Sequence, residues 1–338
     1  MKNKMLQKIK EYFKDPLFLS KWVFSYGHKK DGLAERIPEN KLGKYVYNGT
    51  ARMLIEDIYT SIMPFTHVSP KKEGFSIAID VDDKNKQSLI AGGLSDRSYS
   101  VWLDDAVSEF IRMTALSLLN DGVNYYEIIT NKSKTGQIEK FDLYSIGSSH
   151  IFRWFNNYYQ IVPWWIAQKY HLKVGIIKIP KNKILKIKFP KELGGKSRLA
   201  KIMKRLWWLG KEFTPSFQMD AMKENKDIGF DLNKYADTKN IEIDKVTTIY
   251  GWNHRGYLEK RVLEYYSMKR YLGLKKTQAI LRRTILDKIN EAINGPELNL
   301  NCKVVINGLP DEKTIDEFQQ KLSKGDVEFM EIFKATNY

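Results

Sequence analysis

WLDDAVSEFIRMTALSLLNDGVNYYEI, residues 102 to 128, holds a helix, its stop signal and the start of a strand. Val107, Phe110, Ile111, Thr114 and Leu118 recur at spacings of three and four, which predicts an amphipathic helix with one face turned to a core. Asp104 is placed to cap its N-terminus, and Asn120-Asp121-Gly122 supplies the stop. Two strands follow, Val123 to Thr130 and Gln137 to Tyr144. A polar turn containing Gly136 joins them as a hairpin.

Reading onward, strands are expected at Tyr158–Ile166 and at Ile176–Phe189, the second broken at Pro180. Gly194-Gly195 makes a turn, and a helix runs from about Ser197 towards Lys223. Leu199, Ile202, Met203, Leu206 and Phe213 mark its apolar face, and Pro215 kinks or ends it. Residues 225–256 read as turn-rich, with short strands at Ile228–Leu232 and Val246–Trp252. A long helical pattern spans Leu258 to Ile293, with Gly273 arguing against an unbroken helix. The tail gives a strand at Cys302–Ile306 and a helix after Pro310.

Reading back, residues 1–50 form an arm of lysines interspersed with aromatics. Tyr47–Met63 reads as a helix stopped by Pro64. Phe75–Ile79 alternates as a strand does, and a polar loop containing Gly92-Gly93 follows. The whole is an α+β chain of 338 residues, long enough for a sizeable core and roughly two domains.

Composition narrows the class. At 43% hydrophobic and 28% charged residues the chain is globular rather than disordered. Its net charge of +16 favours partners that carry phosphate, although net charge alone also fits a merely basic surface. The 13% aromatic content suits a subunit that buries contact area in an assembly. Cys302 is the single cysteine, so no internal disulfide is possible, and the five scattered histidines offer no zinc cluster. No apolar run approaches the roughly 18 residues that span a bilayer. The charged start, Met1 to Lys14, lacks a signal-peptide core, which points to the cytoplasm of its own cell or of a host.

Catalytic signatures are missing: no phosphate-cradling glycine loop ends in Gly-Lys-Ser/Thr, and there is no nucleophile elbow or His-Glu-x-x-His helix. Asp80-Val-Asp82-Asp83 places alternate carboxylates as a divalent-cation site would, but Lys84-Asn85-Lys86 after it reads as a solvated turn. Between Leu258 and Ile293 nine cations face four acids, with Arg270, Lys275, Lys276, Arg282 and Arg283 among them. This basic helix fits sequence-independent phosphate contact as well as a solvated face. Tyr158-Tyr159 and Trp164-Trp165, on strand-like segments, suit core or subunit contact more than base stacking.

In their order, four blocks resemble the portal proteins of tailed bacteriophages and related gene-transfer particles. The first is Trp102–Ile128, a helix closed by glycine before a tyrosine-rich strand ending Tyr-Glu-Ile. The second is the Gly136–Leu143 strand, and the third is Ile179-Pro180-Lys-Asn-Lys-Ile184-Leu-Lys186-Ile187. The fourth is Gly194-Gly-Lys-Ser197-Arg198-Leu199. Lys186 stands where the family usually has histidine, and Arg198 where it has proline, so the chain resembles a divergent member over about residues 45–295.

The resemblance implies a portal-like fold: an N-terminal arm (1–50), an α/β wing (51–196), a first stem helix (197–224) and a small clip with short strands (225–256). A second stem helix (257–270), a tunnel loop and tunnel-lining helix (271–297) and a small C-terminal segment (298–338) complete it. It implies a non-catalytic structural subunit, without cofactor or metal, in a homo-oligomeric ring of typically twelve copies at a capsid vertex of the virion. Double-stranded DNA would pass Arg270, Tyr271, Leu272, Gly273, Leu274, Lys275, Lys276, Arg282 and Arg283. Gly273 would let the tunnel loop flex. Ile228, Phe230, Asp231, Tyr250 and Trp252 would meet the terminase large subunit or a neck (head-tail adaptor) protein. Major capsid or scaffold protein would surround the ring, and no membrane is involved. Two alternatives stand beside this reading. One is a monomeric basic accessory protein that binds nucleic acid through Lys275, Lys276, Arg282 and Arg283. The other is a metal-dependent phosphotransferase built on Asp80, Asp82 and Asp83.

Overall fold

The computed structural model describes residues 32–34, 49–64, 74–95, 102–146, 148, 150–170, 175–212, 232–254 and 264–336. The fold is α+β. Its centre is the helix and hairpin expected above: α3 (Leu103–Asp121), β2 (Val123–Lys132) and β3 (Ile138–Ser145). Gly122, at φ 72°, closes α3 in the left-handed conformation that glycine adopts without strain. β7 (Ile184–Lys188) returns antiparallel to β2, giving the strand order β3-β2-β7. Gly194 and Gly195, both at positive φ, then turn the chain into α5 (Gly195–Glu212).

Around this sheet lie α1 (Gly49–Thr60), β1 (Ser76–Ile79), α2 (Lys84–Leu94), α6 (Leu232–Thr247), α7 (Glu264–Ile293) and β8 (Val304–Asn307). One continuous core joins α1, α3 and α5 to β7, α7 and β8 through Leu54, Ile58, Ile111, Leu118, Ile187, Met203, Leu281 and Val304. α8 (Glu312–Lys324) and α9 (Phe329–Thr336) pack on the first half of α7 through Met268, Leu272, Ile315 and Ile332. A second sheet, β4 (Ile151–Trp154), β5 (Asn157–Val162) and β6 (Gly175–Pro180), packs Tyr158 and Ile179 against Val123, Tyr125 and Ile146. A short helix, α4 (Trp164–Tyr170), joins β5 to the segment before β6.

Five expectations are corrected. The Gly92-Gly93 stretch is the end of helix α2, because Asp83 caps that helix by accepting from the Asn85 and Lys86 amides. Gly93 is required there: a Cβ would come within 2.2 Å of the Phe141 ring. Asp104 is not the cap of α3; Trp102 holds that position without a side-chain bond, and Asp104 accepts from the Ile77 amide, tying α3 to β1. Val246–Trp252 is not a strand. α6 runs to Thr247 and a 3-10 turn covers Thr248–Tyr250, with the Thr247 and Thr248 hydroxyls donating to the carbonyls of Ile243 and Asp244. Finally, α7 is unbroken through Gly273, so residues 270–276 are helix and not loop. Trp164 and Trp165, expected on a strand, open α4 instead. Ile228, Phe230, Asp231, Phe213, Pro215 and most of the 1–50 arm fall outside the described residues.

Candidate nucleic-acid interface

α7 gathers the residues expected to face DNA, but it turns several of them inward. Lys275 and Arg282 are only 5% and 6% exposed. The Arg282 guanidinium donates to the carbonyls of Ile62 and Pro310, and one turn earlier Gln278 donates to those of Asp57 and Ile58. These two side chains close the C-terminal end of α1, where helical carbonyls lack partners. Leu272 is buried, and Leu274 packs against the main core. Tyr271 lies against Phe333 at 4.8 Å, with the Lys275 ammonium 5.5 Å from its ring centre. Lys276 pairs with Asp316, and Arg283 bridges Glu192 and Glu312.

Arg270 belongs to a half-buried ionic cluster. It sits 2.6 Å from Asp244 and donates to the Trp252 carbonyl, while His254 lies 3.6 Å from the same carboxylate. Burial lowers the His254 imidazole from its usual pKa and outweighs the pull of Asp244; Arg270 lowers it further. Gly273 faces the backbone of Gly251 so closely that a Cβ on it would lie 2.9 Å from the Gly251 Cα. The glycine serves a close approach of two backbones, not a flexing loop. Tyr250 and Trp252, expected at a docking surface, are fully buried, and the Trp252 indole donates to Asp57 at 2.7 Å.

The acidic cluster is used structurally. Asp80 accepts from the Lys303 amide at 2.7 Å, and Asp83 is the cap of α2. Among the described residues no group of three or more His, Cys, Asp or Glu side chains is arranged to hold a metal ion.

A different region concentrates positive charge with no acid of its own. Leu143 to Lys191, 49 residues, contains no aspartate or glutamate but nine lysines and arginines. The sequence carried this signal in plain form; it is missed when charge is tallied per helix, because these cations are spread over strands and turns. The segment builds the β4-β5-β6 sheet and β7. On the outer face of that sheet, Phe152, Tyr159 and Lys178 form one row across the three strands. The Phe152 and Tyr159 rings stack at 5.5 Å and 18°. Trp154, Ile161 and Ile176 are exposed on the same face, and Trp164 and Trp165 are exposed on α4. Tyr158, by contrast, points inward into the second core, so the paired tyrosines divide between core and surface.

The β4-β5 turn carries Phe155, at 84% the most exposed large hydrophobic among the described residues, held at φ 49°. A bulky side chain in the left-handed region is strained. Beside this turn opens a cleft of about 1320 Å³ between β7 and the second half of α7. Lys181, Lys186, Lys188 and Lys191 line one wall. The facing side holds acids: Asp287 and Glu291 on α7, Glu192 in the turn before α5 and Glu297 just after α7. Glu192 is paired with Arg283, Glu291 with Lys288, and Glu297 with Lys183. Lys186 also lies 4.9 Å over the ring of Tyr125.

Among the described residues no helix is long and apolar enough to cross a membrane. No protein-family model matches the chain, and no curated protein matches it.

Proposed function

We propose that the chain is a non-catalytic subunit of a nucleic-acid-handling ring of the portal type, set at a capsid vertex as a channel for packaged DNA and a platform for motor and neck proteins. The observation that carries this reading is the order of elements: helix α3, the Gly122 stop, the β2-β3 hairpin, β7 returning to β2, and the Gly194-Gly195 turn into α5. These are the four blocks on which the resemblance rests; β2, β3 and β7 share one sheet, and α3, β7 and α5 share one core. The net charge of +16 suits a phosphate-bearing partner. A ring requires a heterologous interface whose two patches differ, and closure depends on the rotation between neighbours.

Within this reading Lys275 and Arg282 are structural, and phosphate contact along α7 falls to exposed or half-exposed cations such as Lys269, Arg283 and Lys288. Electron microscopy of purified protein, with mass photometry, tests the proposal. Rings with a central hole, in multiples of the 39.6 kDa chain, are the expected result. A chain that stays monomeric at every concentration and with capsid partners present overturns it. The acid-free segment from Leu143 to Lys191 favours one further reading, a monomeric basic protein that binds nucleic acid as an accessory factor.

A further inference from the structure

We infer that the outer face of the β4-β5-β6 sheet, with the adjoining lysine wall of the cleft, binds single-stranded nucleic acid, the bases meeting Trp154 and Phe155 and the phosphates meeting lysines. The inference does not rest on the ring reading and holds for either oligomeric state.

Three independent features converge on this face. The first is charge: the segment that builds this sheet and β7 carries nine cations and no acid over 49 consecutive residues, a balance that favours a polyanion. The second is the row Phe152, Tyr159 and Lys178, with Trp154 exposed two residues along β4. Flat rings beside cations on an open sheet are what sequence-tolerant binding of unpaired bases needs, since every base has a π face. The third is Phe155. A large apolar ring at a turn tip, 84% exposed and at positive φ, adds neither core packing nor a relaxed backbone. Strain kept at an exposed position is the mark of a contact residue.

The geometry separates this ligand from its competitors. In duplex DNA the bases are already stacked on one another, so a duplex meets this face through phosphate alone. A bilayer is broad and reaches the protruding rings, but it does not enter the cleft where Lys186 lies half-buried against Tyr125. A strand of nucleic acid is narrow enough to do both. It crosses the aromatic face at the β4-β5 turn and enters the cleft past Asn156 and Asn157, which line its mouth.

The test uses the full chain and a labelled oligothymidylate of about 20 nucleotides, longer than the roughly 4–16 that such a platform covers. Anisotropy is read across a salt series, with a duplex of equal length in parallel. The expected result is tighter binding of the single strand than of the duplex. Trp154→Ala combined with Phe155→Asn should weaken it about ten- to a hundredfold. Lys181→Gln and Lys188→Gln should each lower the log–log salt slope by about 0.7. Both pairs of positions are exposed, and an unchanged circular-dichroism melt shows that the variants fold.

Equal affinity for strand and duplex, untouched by the aromatic changes, overturns the inference and leaves a phosphate-only surface. Cosedimentation with vesicles of anionic phospholipid, without strand binding, overturns it in favour of a membrane surface. Mass photometry of the same samples keeps the two proposals apart. Intact rings that do not bind the strand sink this inference and spare the ring. Aromatic variants that lose assembly while keeping strand affinity show the face to be a contact between copies, which also sinks it.

Discussion

Gly273 shows how a single residue misleads when read alone. Glycine inside an exposed helix ordinarily costs about 1 kcal/mol relative to alanine. Here the helix runs against Gly251, itself at φ 64°, and the added methyl would meet backbone. Gly273→Ala should therefore destabilise the chain by about 1–3 kcal/mol in urea denaturation, opposite in sign to the helix-propensity expectation. Phe155 predicts the reverse. Phe155→Asn relieves a left-handed phenylalanine and should raise stability by about 1 kcal/mol, while weakening strand binding.

His254 gives a pH dependence. The unfolded chain takes up its proton near pH 6.5, whereas the folded chain, with His254 buried beside Arg270, Asp244 and Lys239, takes it up only at lower pH. Its contribution is thus fully present above about pH 6.5 and is lost as pH falls towards the lowered folded pKa. The urea midpoint of the wild type should drop over that window more steeply than that of His254→Gln.

Among the elements, α7 is the spine, and its polar residues act as much as its apolar ones. Asn290 donates to the Val304 carbonyl and accepts from the Val304 amide, and Asn294 does the same for Cys302. Two side-chain amides one turn apart thus stand in for a neighbouring strand on the side of β8 that β1 does not cover. Asn290→Ala should cost about 2 kcal/mol and speed hydrogen exchange at the Val304 amide before it affects β2. Arg282 does similar work at the end of α1. Arg282→Ala should destabilise by about 3 kcal/mol, since two buried carbonyls lose a charged donor. Loss of DNA binding in that variant reports folding, so Lys269 and Arg283 are the informative positions for phosphate contact along α7.

For the whole molecule, the distribution of charge matters more than its sum. The net +16 is not uniform: the second sheet and β7 are acid-free, whereas the outer cations of α7 are largely paired with acids from α7 itself, α8 and the turn before α5. Nucleic-acid affinity should therefore fall steeply with salt and follow substitutions in Leu143–Lys191 more closely than substitutions in α7.

The sequence alone determined the elements whose periodicity is strong and whose ends carry glycine or proline. α3 with its Gly122 stop, the β2-β3 hairpin, the break between β6 and β7 at Pro180 and the Gly194-Gly195 turn all stand where the pattern placed them. Those signals are local, set by backbone sterics within a few residues. Tertiary structure alone decided that Val246–Trp252 is not a strand, that α7 passes straight through Gly273, and that Arg282 and Lys275 point inward. Gly273, Arg282 and Trp252 each meet a neighbour more than 20 residues away in sequence, and no local pattern encodes such a partner: Gly251, Ile62 and Asp57 in turn. The sheet's exposed face is intermediate. Its charge is written in the sequence, but the alternation that sends Tyr158 inward and Phe152 and Trp154 outward becomes fixed only when β4 and β6 pair with β5, because register decides which face each side chain takes.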